Sequence, residues 1–367
     1  MVNLPAKVHG TATRFLAVAL AATIACISAT GCAAQQSAPE ENSSAANEQQ
    51  AAVAETRTVT DMAGRTVEIP SEIRSVATFG SVGVLNAFVE CMGAGDLLVN
   101  EMPANFTKND KWKMQYQFAP QIKGQPVLET ADGVDIEKTL TLDPDICITM
   151  TKETAQQLEE NGLACIVLSW NDTDDVKKAV SLMGDVLGNT ERANDYNAYF
   201  DEMVTKASGI TANLPESERK TVIYGDVTSL TNPHIISEWW ITAAGGVSVT
   251  ADAHEKNSLE YTMEQLLAWQ PQVVFSSNSN IDAISSDANF ANIPAVQNGT
   301  IYAVPTVAHV WGNRTVEQPL TVMWALNKLY PELYSEAELT EDIRYFYSHF
   351  FGYDMTDEEV ASIINYA

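Results

Sequence analysis

The chain contains none of the short signatures of the common catalytic scaffolds: no G-x-S-x-G, no H-E-x-x-H and no P-loop. That removes the nucleophile elbow, the zinc-helix protease and the phosphate-cradling glycine loop. A single S-x-x-K match, Ser217 to Lys220, lies in a charged stretch before a strand and lacks the helix that such chemistry needs. Cysteine is scarce, five in 367 residues with no C-x-x-C, so a zinc cluster has no framework. Histidines beyond the leader, at 234, 254, 309 and 349, are scattered, which argues against a dedicated histidine metal cage. Basic residues are few as well: 21 Lys and Arg against 48 Asp and Glu give a formal charge of −27. Nucleic acid and polybasic membrane contact are thereby disfavoured, and an anionic ligand would need a locally basic pocket.

No apolar run is long enough to span a membrane. Phe15 to Thr30, preceded by Lys7 and Arg14, falls short of the roughly 20 residues required and reads as an export signal. Its removal takes away those two basic residues and no acid, moving the formal charge from −27 to −29. Ala29-Thr30-Gly31-Cys32 resembles a lipoprotein cleavage box, with Ala29 in a place usually held by Leu, and makes Cys32 the candidate lipid-bearing residue. Residues 32 to 56 carry Ala, Gln, Asn, Ser and Glu with no aromatic residue, a composition expected of a flexible tether. Cys147 and Cys165 sit in apolar runs that read as neighbouring strands; buried thiols fit there better than a bridge, although export would permit one.

What the sequence does contain is a unit that occurs twice. The first copy runs Asp135-Ile136-Glu137, Leu140, Leu142, Pro144, Ile146-Cys147-Ile148; the second runs Thr262-Met263-Glu264, Leu267, Trp269, Pro271, Val273-Val274-Phe275. Each begins with an N-cap residue type two positions before a Glu, continues with helical spacing, stops at Pro and passes into a buried strand. Matched units of this kind predict two similar α/β lobes. An acid in a first helical turn is also favourable in itself, by about 0.3 to 1 kcal/mol against the helix dipole.

These units, the opening stretch from Thr58 to Val67, and the late segment Trp311-Gly312-Asn313-Arg314 with Glu317 and Leu329-Tyr330-Pro331 resemble the substrate-binding proteins of ABC importers for iron-siderophore complexes, haem and cobalamin. The resemblance implies two three-layer α/β lobes joined by a long helix, with the ligand cleft between them. It also implies that Glu137 and Glu264 dock onto the membrane permease. On this reading residues 1–31 are the lipoprotein signal and 32–56 the tether. Residues 57–172 form the first lobe, 173–212 the connecting helical segment and 213–367 the second lobe. The connector should carry Ala193, Tyr196, Phe200, Met203 and Ala207 on one face and limit hinge bending. Two helices should close the chain, one near 317–329 and one beyond Glu341.

Open α/β sheets bind ligands beyond the carboxyl ends of their strands. That rule nominates Phe79 and Ser81, Lys152 and Trp170 from the first lobe, and His234, Trp311 and Arg314 from the second. Trp112 joins them from the aromatic-bearing loop at 100–127. Trp170 and Trp311 can equally be core, and Arg314 can pair with Glu317 across a helix start. The expected molecule is a monomeric, non-enzymatic, cofactor-free lipoprotein on the outer side of a membrane, binding an iron-siderophore or haem first, cobalamin second, molybdate or tungstate third. A lipid-anchored hydrolase is the competing class, and an adhesin without a small ligand is a third.

Overall fold

A computed structural model describes residues 55–366 apart from 109, 131 and 132; the expected signal, Cys32 and the tether lie outside the described residues. The chain opens with an antiparallel hairpin, β1 Thr56–Thr60 and β2 Thr66–Pro70. Its turn is organised by the Asp61 carboxylate, which accepts from the Ala63 and Arg65 amides and from the Arg65 guanidinium. The same carboxylate takes the Val167 amide, fastening the hairpin to a sheet edge.

The first lobe is built on β3 Val76–Thr78, followed by α1 Val82–Cys91, α2 Ile136–Leu142, β4 Ile146–Thr149, α3 Lys152–Glu159 and β5 Cys165–Val167. The strands lie parallel in the order β3-β4-β5. All are buried, which is why they read as continuous apolar runs and not as alternating ones. Leu98 adds only a single parallel bridge to Val76. Cys147 and Cys165 are register partners, and both are buried free thiols.

Two helices follow, α4 Thr173–Val186 and α5 Thr190–Thr211. The 22-residue α5 buries the five residues expected on its inner face, along with Tyr199. The second lobe contains β6 Thr221–Gly225, α6 Ile236–Ala243, β7 Val247–Ser248, α7 Met263–Trp269, β8 Val273–Ser276 and β9 Ile301–Ala303, in the parallel order β7-β6-β8-β9. Between β8 and β9 lie two short helices, Ile281–Ser286 and Pro294–Asn298.

The repeated units fold alike. Both α2 and α7 have seven residues, and a side-chain cap satisfies an early amide: Asp135 accepts from Lys138, Thr262 from Gln265. Each ends on a left-handed residue before its proline, Asp143 at φ 48° and Gln270 at φ 47°. A following proline disfavours right-handed helix at that position, so the chain turns there and enters the strand.

The chain then forms α8 Gln318–Leu329, buried on nearly every side, α9 Glu336–Phe346, a π-helical turn at Tyr347–Phe351 and α10 Asp357–Ile364. The start of α9 lies five residues before the expected Glu341, because Ser335 and Glu338 close a capping box there. These last elements return to the first lobe: the Phe118 ring packs on Tyr347, Phe351 and Tyr353 at 5.6, 4.7 and 5.5 Å between centroids. One hydrophobic cluster runs from β3 and α1 through α5 to α8 and α9.

Candidate ligand-binding site

The loop from Pro305 to Val316 meets the first lobe at Trp170, beyond the end of β5, at Gln115 and at Trp112. Its shape is set from inside by Glu317, a fully buried carboxylate. Glu317 accepts from the Ala308 and His309 amides at 2.9 and 2.7 Å, from Trp311 Nε1 at 3.1 Å and from Thr315 Oγ1 at 3.2 Å. The Tyr347 hydroxyl supplies a further bond from the π-helical turn. Burial raises the Glu317 pKa, and these donors oppose the rise.

The loop so held presents His309 and Arg314. The His309 ring lies 5.2 Å from the Trp112 ring, and its buried Nδ1 has no hydrogen-bond partner. Burial, with Lys111 and His234 as further causes, drives the His309 pKa down to about 3. His234 falls to about 4, first through burial and then through the charge of Arg314, against a bond from Asn257. Burial lowers Lys111 and Arg314 too. The site thus gathers two imidazoles held neutral and two cations, one of them contributed by the first lobe, in a chain whose formal charge is −27. Such a group attracts negative charge at short range, and a neutral imidazole can accept a hydrogen bond or ligate.

The lobes meet here through directed bonds. Arg314 Nη1 donates to the Trp170 carbonyl at 2.7 Å, and Trp170 Nε1 donates to the Arg314 carbonyl at 3.1 Å. Gln115 Nε2 donates to the carbonyls of Gly83 at 3.0 Å and Ala308 at 2.6 Å, while its carbonyl oxygen accepts from Asn86. Beside the cation group runs a groove of about 640 Å³ lined from the first lobe by Lys111 and Met114, from the strand ends of the second by Ser279 and Thr306, and from α10 by Ser362.

The structure brings together Trp112, His234 and Arg314 of the expected set. Ser81 is exposed at the start of α1, and Lys152 is exposed at the start of α3. Phe79 and Trp311 are corrections: both are fully covered by protein. Phe79 continues β3 into the core around Cys147, and Trp311 is turned inward by Glu317. Trp170 is 3 % exposed, packs on Phe88 at 4.9 Å and reaches the cleft only through its hold on Arg314. The Arg314–Glu317 pairing gives way to Arg314–Trp170, since Glu317 is already saturated by neutral donors. Lys111 was missed, although it adjoins Trp112 in the loop singled out for its aromatics. The strand-end rule also reaches Thr306, whereas α10 had no sequence signal linking it to a cleft.

Two parallel α/β lobes, a long helix between them and a cation-bearing cleft at the strand ends define a solute-binding protein. The family model described as periplasmic binding protein matches residues 94–308, and the chain belongs to that family. It is a solute-binding protein of the kind that serves ABC importers, and its family is one of binders and not of enzymes. Among the described residues no helix is long and apolar enough to cross a membrane.

A periplasmic solute-binding protein from Veillonella parvula superposes with a TM-score of 0.74 at 23 % identity, covering 85 % of this chain and 97 % of the other. The molybdate-binding protein MolA of Haemophilus influenzae is 22 % identical over 80 % of this chain and 91 % of its own. Its molybdate-bound structure gives a TM-score of 0.69 at 20 % identity, over 82 % and 99 % of the two chains. The iron(3+)-hydroxamate-binding protein YxeB of Bacillus subtilis is 26 % identical over 36 % of this chain and 40 % of its own.

Proposed function

We propose that the protein captures an anionic iron complex of the siderophore class and delivers it to an ABC permease. The observation that supports this most is the group formed by Lys111, His234, His309 and Arg314 in an otherwise acidic chain. The adjoining groove, about 640 Å³, lies within the range of roughly 300 to 1,000 Å³ usual for organic ligands and leaves room for far more than a four-oxygen anion. Molybdate or tungstate is the second reading, favoured by the Haemophilus relative that aligns along 80 % of this chain.

Delivery rests on Glu137 and Glu264, both exposed in the first turns of matching helices, as permease contacts. Anchoring rests on a lipid at Cys32 and places the monomer on the outer face of the membrane. The test is titration of the purified protein, followed by tryptophan fluorescence, with a ferric tris-catecholate, haemin, a ferric hydroxamate, cyanocobalamin and molybdate. The tris-catecholate should bind most tightly and should weaken as salt is raised. Preference for molybdate with no response to any iron complex would transfer the conclusion to the second reading, and turnover of esters or β-lactams would revive the hydrolase.

A further inference from the structure

The last helix, α10, has an assigned packing role on only one of its faces. Thr356 and Glu359 close a capping box at its start, and Val360, Ile363 and Ile364 are buried at helical spacing. Ser362 and Asn365 are left exposed, and with Tyr366 they form one side of the groove. Tyr366 stands next to Thr306 at the end of β9. Thr306 is itself only 6 % exposed and lines the same groove. At the groove's other wall stands Lys111, whose charge also acts on His309, so the groove borders the cation group.

We propose that Ser362, Asn365 and Tyr366 form the specificity-determining wall of the site. They contact the organic body of the bound complex while its negative charge rests on the cations of Lys111 and Arg314. This inference rests on the first reading above, because a bare oxyanion would occupy the cation group and leave the wall untouched.

The experiment uses the mature chain and two probes, a ferric tris-catecholate and molybdate. Ser362→Trp fills the groove from an exposed helical position, and Tyr366→Ala removes part of the wall. Thermal melting checks that both variants retain the fold. Each variant should bind the tris-catecholate about tenfold or more weakly, the loss expected when a contacting wall is filled or removed. Any molybdate affinity should be unchanged. Wild type binding the iron complex, with both variants binding it equally well, overturns the wall and leaves the function standing. Wild type binding no iron complex overturns both.

Discussion

Replacing Glu90 by Gln should change how stability depends on pH, with a sign that the structure dictates. Glu90 sits on α1 with both carboxylate oxygens buried and without a hydrogen-bond partner. Burial, and secondarily the charge of Glu317, push its pKa well above the ordinary value of 4.5. In the unfolded chain the group loses its proton near 4.5, whereas in the folded protein it keeps it. Below 4.5 both states are protonated and the folded state enjoys the full benefit. Above 4.5 the unfolded state binds one proton fewer, so stability falls as pH rises until the folded-state value is passed. One such group costs about 1.4 kcal/mol for each pH unit in that window. Glu90→Gln keeps the shape and removes the titration, leaving only a pH-independent offset from its own amide. Urea unfolding of wild type and variant at half-unit steps upward from about pH 5 should show the variant gaining on wild type by about 1.4 kcal/mol per unit. Parallel stability curves for the two proteins would refute the protonated-core assignment.

Arg314→Gln should weaken binding of the ferric tris-catecholate about tenfold and flatten its salt dependence, because a charged donor is worth about 1.5 to 3 kcal/mol; equal titrations at two salt concentrations would remove Arg314 from the site. Glu137→Lys and Glu264→Lys should leave melting and solute affinity nearly unchanged, since a helix-dipole contribution is about 0.3 to 1 kcal/mol, yet lower transport in vesicles carrying the cognate permease. Full transport by the double variant would leave the pair as helix-start residues alone. Cys32→Ala should release the protein from the membrane fraction, and retention of that variant after signal removal would exclude the lipid anchor.

The parts of the fold readable from sequence were those where local chemistry and tertiary structure agree. The Asp135 and Thr262 caps, the prolines at 144 and 271 and the apolar strands that follow them are each local signals, and they gave both copies of the unit with the correct order of elements. The inner face of α5 followed from spacing alone. The site was less legible because its geometry is set at long range. Nothing near Glu317 in sequence indicates that Tyr347, thirty residues later, will donate to it, or that the carboxylate will turn Trp311 inward and free Arg314 for Trp170. Polar neighbours made Trp311 look exposed, yet those neighbours belong to a loop folded around a buried acid. The participation of α10 depends on a return to the first lobe through Phe118, a contact across more than two hundred residues.

The Gln115 amide bonded to the Ala308 carbonyl has a consequence for traffic at the membrane. A receptor whose halves are already bonded to one another, over a shared core, has little shape change with which to announce that it is loaded. If so, empty and filled copies would present nearly the same face to a transporter and compete for it. Preference for the filled copy would then have to come from the cargo itself, visible at the rim of the cleft, and from the number of copies carrying it.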